Sequence, residues 1–162
     1  MKFSEINKDN YKQVSDIYRS GIKTENATFE VNVPSFEAWD QKYLPFGRII
    51  IHKDEIVLGW ASLAKVSDRL VYKGVAEVSV YVSPNAQGKG TGTKLLKKLI
   101  EISESEGIWT LQCGIMRENV ASIQLHKKCG FREIGYREKV GKLNNVWRDN
   151  VIMERRSKVV GL

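Results

Sequence analysis

The sequence predicts an α+β or mixed α/β domain of three layers. Three observations predict it. Helices and strands suited to antiparallel pairing fill the first 64 residues. From residue 76 the pattern becomes strand–helix–strand–helix–strand–strand. Within that second part, a glycine-rich loop joins a β-rich run to an amphipathic helix. At 162 residues the chain is long enough for a single domain, residues 1–162, with its own hydrophobic core.

Each element has a local reason. Residues 2–6 alternate and suit an edge strand. Val14, Ile17 and Tyr18 recur at helical spacing within residues 9–21, and Gly21 is the expected stop. Pro34, Ser35 and Phe36 open a second helix, with Ser35 as its cap. Residues 48–53 and 56–64 form a hairpin across Lys53, Asp54 and Glu55. Ala76 to Val82 is a strand closed by Ser83 and Pro84. Leu95, Leu96, Leu99 and Ile100 mark the buried face of the next helix, which Gly107 ends. Trp109 to Ile115 reads as a buried strand, and Asn119 to Lys128 as a short helix closed by Gly130. Strands over 131–139 and 146–154 flank a turn from Gly141 to Asn145.

Composition excludes several classes. No apolar run approaches the ~20 residues of a membrane span, and the N-terminus has no basic-then-apolar leader. A cytoplasmic setting without membrane attachment is the expectation. Cys113 and Cys129 form no CxxC pair, and neither His52 nor His126 sits at zinc-site spacing, so no metal is expected. The net charge of +7 fits a polyanionic partner (nucleic acid, an anionic membrane or a phosphorylated cofactor) and a plain solvated surface equally. No helix-turn-helix, zinc-finger or RNA-recognition signature accompanies that charge, so no nucleic-acid partner is expected.

The strongest signal is Gln87-Gly88-Lys89-Gly90-Thr91-Gly92-Thr93, set between the Val80-Tyr81-Val82 strand end and a helix. Glycines there let the backbone approach a ligand, and the helix N-terminus adds partial positive charge. The result suits a pyrophosphate. A Walker A loop and a dinucleotide fingerprint both require glycine at position 93, which is threonine. The pattern Q/R-x-x-G-x-G/A does fit, through Gln87, Gly90 and Gly92.

This segment resembles the coenzyme A loop of the GCN5-related N-acetyltransferases. A second match, Asn119-x-x-Ser122-x-x-Leu125-His126-x-x-x-Gly130-Phe131, follows in the right order. The resemblance covers roughly residues 1–155. It implies a central, mostly antiparallel twisted sheet with helices on both faces, and acetyl-CoA as co-substrate. Arg69, Tyr72, Ala76-Glu77-x-Ser79-Val80-Tyr81-Val82, Ile22-x-Thr24 with Phe29, and Trp147-x-Asp149 look like the phosphinothricin N-acetyltransferase group. That group acetylates small amino acids and analogues such as methionine sulfoximine, and the resemblance further implies a homodimer.

Roles follow residue by residue. Glu77 lies in an otherwise apolar strand and is either a charge on a wetted face or, as the resemblance implies, the general base, acting through a water. His126 stands where many family members place a tyrosine facing the coenzyme sulfur; it is either a proton donor or a packing residue. Asn119 and Ser122 suit a helix cap, and the resemblance adds contacts to the cofactor. The main chain of Val80, Tyr81 and Val82 is expected to pair with the pantetheine amides if a neighbouring strand splays away. Arg69 is the expected fork for the acceptor's carboxylate, with Thr24, Phe29 and Tyr72 around it. The leading reading is acetyl transfer to a small amine. The alternatives are the same chemistry on a protein N-terminus, lysine or polyamine, and a basic nucleic-acid-binding module.

Overall fold

The computed structural model describes residues 1–162. Seven strands form one sheet: β1 Lys2–Glu5, β2 Ile49–Lys53, β3 Ile56–Lys65, β4 Val75–Val82, β5 Thr110–Met116, β6 Arg132–Leu143 and β7 Val146–Arg156. Four helices accompany them: α1 Tyr11–Lys23, α2 Phe36–Lys42, α3 Thr91–Ser105 and α4 Val120–Lys128. The strand order is β1-β2-β3-β4-β5-β7-β6. Every neighbouring pair is antiparallel except β4 and β5. The expected mixed α/β architecture is therefore present.

Alternation along the strands builds the layers. Ile49 and Ile51, Ala61 and Leu63, and Ala76 and Val78 turn to one face, against Leu95, Leu96 and Leu99 of α3 and Ile123 of α4. Ile50 and Trp60 turn to the other, against Val14, Ile17 and Tyr18 of α1 and Trp39 of α2. Ser35 caps α2 as expected, accepting the Ala38 N–H at 3.2 Å. Buried Arg48 closes the end of that layer: Nη2 donates to the Tyr43 carbonyl at 2.9 Å and Nε to the Leu44 carbonyl at 2.9 Å.

Two local expectations are corrected. Gly21 does not stop α1, which runs on to Lys23. A Cβ at Gly21 would lie 2.8 Å from the Tyr81 ring, so the glycine admits an aromatic side chain from β4. The last turn is not Gly141 to Asn145. β6 continues through Gly141 to Leu143, and only Asn144 and Asn145 reverse the chain, both at positive φ. The break in β6 comes earlier, as a bulge between Arg137 and Gly141 where Lys139 has φ +46.

No helix is long and apolar enough to cross a membrane. No three His, Cys, Asp or Glu side chains converge as a metal site.

Candidate active site

The site originates in one irregularity of the sheet. β4 pairs with β5 only at Val75–Thr110, Ala76–Leu111 and Glu77–Gln112. Beyond Glu77 the two strands diverge, and Val78 to Val82 have no partner on that side. Between them opens a cleft of about 490 Å³. Glu77 stands at its vertex, on the face of the sheet away from α3. It forms no ion pair or side-chain hydrogen bond within the chain, so its carboxylate is available to a ligand or water. The side chains of Val80 and Val82 pack on the core, and the Tyr81 ring stacks between Trp60 at 4.7 Å and Tyr18 at 4.9 Å. What β4 offers a ligand is therefore its main chain.

The glycine loop lies just past the open end of β4. Thr91, Gly92 and Thr93 are the first turn of α3, whose N–H groups have no helical acceptor; the first bond is Lys94 N–H to the Gly90 carbonyl at 3.1 Å. Gly88 and Gly90 adopt φ +71 and +79, and a Cβ on either would meet nothing within 4 Å. The concave face is unobstructed, as a pyrophosphate requires. Gly92 instead permits close helix packing, because a Cβ there would crowd Leu125 of α4 at 3.1 Å and Val82 at 3.5 Å. Gln87 and Lys89 brace the loop through the carbonyls of Val82 at 3.4 Å and Asn85 at 3.0 Å. Loop and splayed strand together form one continuous open track along the cleft.

Asn119 and Ser122 bring α4 to the cleft. The Asn119 side chain accepts the Ser122 N–H at 3.2 Å, the capping bond, and donates to the Asn26 carbonyl at 3.3 Å. His126 is buried within the lining, edge-on to Phe131. Its Nδ1 lies 2.7 Å from the Ser122 carbonyl, so Nδ1 carries the hydrogen and Nε2 the lone pair. Burial lowers the His126 pKa, outweighing the opposite pull of that hydrogen bond. Nδ1 is thereby engaged with the main chain, and Nε2 makes no hydrogen bond within the chain.

Cys113 also lines the cleft. Burial first, and the nearby charge of Glu77 second, push its thiol up to about 12. It stays protonated at neutral pH and is no nucleophile.

The segment between α1 and α2 supplies the opposite wall through Ala27, Thr28, Phe29 and Glu30. Arg148 of β7 straps this segment down. Its guanidinium donates to the Glu25 carbonyl, to Asn26 Oδ1 at 2.5 Å and to Glu118 Oε2 at 3.0 Å. The Phe29 ring lies 3.0 Å from where a Cβ on Gly141 would sit, so that glycine seats it. Nothing local in the sequence marks Arg148, because its partners are over 100 residues away apart from Glu118.

Three expected acceptor residues are not brought to the cleft of their own chain. Thr24 is spent on the end of α1, its hydroxyl donating to the Gly21 carbonyl at 2.7 Å. Arg69 lies 5.5 Å over the Tyr72 ring in an exposed turn, Leu70–Tyr72. That turn leads into Gly74, whose carbonyl takes the N–H groups of Trp109 at 2.8 Å and Thr110 at 3.0 Å. Arg69 and Tyr72 thus sit at the joined end of β4 and β5, and the splay opens toward the other end.

Comparison with known proteins gives the family. The model of the acetyltransferase (GNAT) family matches residues 12–131. A phosphinothricin N-acetyltransferase from Alcaligenes faecalis is 32% identical over 157 residues, covering 93% of this chain and 79% of that protein. An L-methionine sulfoximine/L-methionine sulfone acetyltransferase from Pseudomonas paraeruginosa is 31% identical over 144 residues, covering 85% and 84%. The structure of yncA from Salmonella typhimurium with its cofactor acetyl-CoA superposes with a TM-score of 0.87 at 27% identity, covering 96% of this chain and 93% of that one. The chain is an acetyltransferase and belongs to the GNAT family.

Proposed function

We propose that the protein moves an acetyl group from acetyl-CoA to the amine of a small amino acid or analogue of the phosphinothricin or methionine sulfoximine type. The observation that carries this reading is the divergence of β4 from β5 immediately after Glu77. It places an unpaired carboxylate at the vertex of a cleft whose wall is open main chain. The names of the two similar enzymes support the acceptor class.

The transfer is direct. The amine nitrogen attacks the thioester carbonyl, the new N–C bond forms, and the C–S bond breaks. Glu77 accepts the amine's proton through a bridging water. The open N–H groups of β4 stabilise the oxyanion, and solvent returns a proton to the thiolate. The raised thiol pKa of Cys113 argues against an acyl-cysteine intermediate.

Two further points belong to this reading. The setting is cytoplasmic, in keeping with two buried free cysteines. The protein is a homodimer, for which exposed Leu70, Val71 and Tyr72 provide an apolar surface. Arg69 and Tyr72 keep an acceptor role only if a second copy offers them to its neighbour's cleft.

A thiol-release assay with acetyl-CoA tests the reading, run against phosphinothricin, methionine sulfoximine, free amino acids, polyamines and a peptide N-terminus. Turnover is expected with the first three groups. Turnover confined to polyamines or the peptide would refute it.

A further inference from the structure

Glu77 serves the amine end of an amino acid. With Arg69 outside the cleft of its own chain, the carboxylate end needs a partner from within that cleft. The arginines narrow the choice. Arg19, Arg48, Arg117, Arg132, Arg148 and Arg155 each pair with a carboxylate. Arg156 is spent on the main-chain carbonyls of Ser157, Val160 and Gly161. That leaves Arg69 and Arg137, and of these only Arg137 lines the cleft. The other cation in the lining, Lys42, is 3.8 Å from Glu30 and already has a counter-charge.

The backbone around Arg137 is held on both sides. Asp149 accepts the Tyr136 hydroxyl and, at 2.7 Å, the Lys139 N–H. One carboxylate thereby fixes the β6 bulge that starts at Arg137. Arg137 is paired in register with Asn150 of β7, and such pairs project to one face of a sheet. Asn150 also lines the cleft, with its amide nitrogen over Gly114, where a Cβ would come within 3.1 Å. A planar, permanently charged fork and an amide donor therefore stand side by side on one wall. Two donors in that arrangement fit a carboxylate.

We infer that Arg137, with Asn150 beside it, binds the carboxylate of the acceptor and sets the enzyme's preference for amino acids over simple amines. This rests on the acceptor class proposed above. The guanidinium makes the charge-assisted contact, so Arg137 acts on acceptor binding and leaves the base and the cofactor track untouched.

The test is steady-state kinetics on methionine sulfoximine and on its decarboxylated amine, for the wild type, Arg137→Gln, Arg137→Lys and Arg69→Ala. Arg137→Gln is expected to lose roughly 10- to 150-fold in kcat/KM on the amino acid, mainly through KM, and about twofold or less on the amine. Arg137→Lys recovers part of that loss, because it restores charge without the fork. Acetyl-CoA affinity by calorimetry stays unchanged in both. Equal losses on both acceptors, or none, would overturn the proposal while leaving the acceptor class standing. So would a preference that survives Arg137→Gln and vanishes in Arg69→Ala. A wild type that does not prefer the amino acid would remove the acceptor class, and this proposal with it.

Discussion

The two flanks of β4 behave in opposite ways. Toward β3 it is paired in seven consecutive positions, from Lys65–Ala76 to Gly59–Val82. Toward β5 it is paired in three. The first flank is closed under Trp60, which is fully buried beside Tyr18, Trp39, Tyr43 and Tyr81. The second is an opening bordered by Glu77, Asn119 and His126. One strand can serve both purposes because its side chains and its main chain point in different directions. Burying Val78 and stacking Tyr81 fixes the strand in place, and that fixed strand then holds unpaired N–H and C=O groups at a rigid spacing. We therefore assign stability to one flank and chemistry to the other, and predict that the two can be broken separately.

The largest separation is expected from Glu77→Gln. Loss of a general base commonly costs ~10²–10⁴ in rate. Because Glu77 is exposed at the vertex and has no ion pair, its urea midpoint should stay close to wild type. A variant within about twofold of wild-type kcat would return Glu77 to a charge on a wetted face.

Trp60→Ala should do the reverse. Removing a fully buried tryptophan costs about 3–5 kcal/mol, a large share of a domain's stability. Denaturant unfolding should show a clear drop in midpoint, while Glu77 remains in place to work in the fraction that folds. An unchanged midpoint would mean that the closed flank is not where the stability resides.

A smaller effect sharpens the border between the flanks. Burial holds the pKa of His126 below its ordinary value of ~6.5. As pH falls, the unfolded chain binds that proton first, so stability declines from about pH 6.5 toward the lower folded-state pKa. Above about 6.5 both states are neutral and the effect vanishes. His126→Phe should flatten this part of the profile relative to wild type. Parallel profiles from pH 5 to 7 would show that the ring is not buried neutral. The same variant's kcat separates packing from proton transfer: the hydrogen bond from Nδ1 to Ser122 predicts little change in its pH dependence.

Much of this division was legible in the sequence, and what was not follows one pattern. The helix faces, the Ser35 cap and the 87–93 loop depend on neighbours within a few residues, and local spacing exposes them. Gly21 reads locally as a helix stop, but its reason is the Tyr81 ring, sixty residues away. Arg69 is expected at the acceptor from the resemblance and from the fit of a guanidinium to a carboxylate, neither of which fixes where its turn lies. The bonds from Trp109 and Thr110 to Gly74 instead hold the preceding turn at the closed end of the sheet. Arg137 and Arg148 gain their roles through β6–β7 pairing and the docked 24–30 segment, and neither leaves a short-range signature. Glu77, which the structure sets at the vertex of the cleft, stood out because a carboxylate in a run of apolar, β-branched residues conflicts with its surroundings.

The most direct measurement of the central claim is residue-resolved amide hydrogen exchange with and without acetyl-CoA. If the open flank and the glycine loop form the cofactor track, ligand should protect amides within Val78–Val82 that face the splay, together with those of Gly88 to Thr93. The amides of β3, already paired, should change little. Protection absent from both segments at saturating acetyl-CoA, or appearing instead around the Leu70–Tyr72 turn, would contradict it.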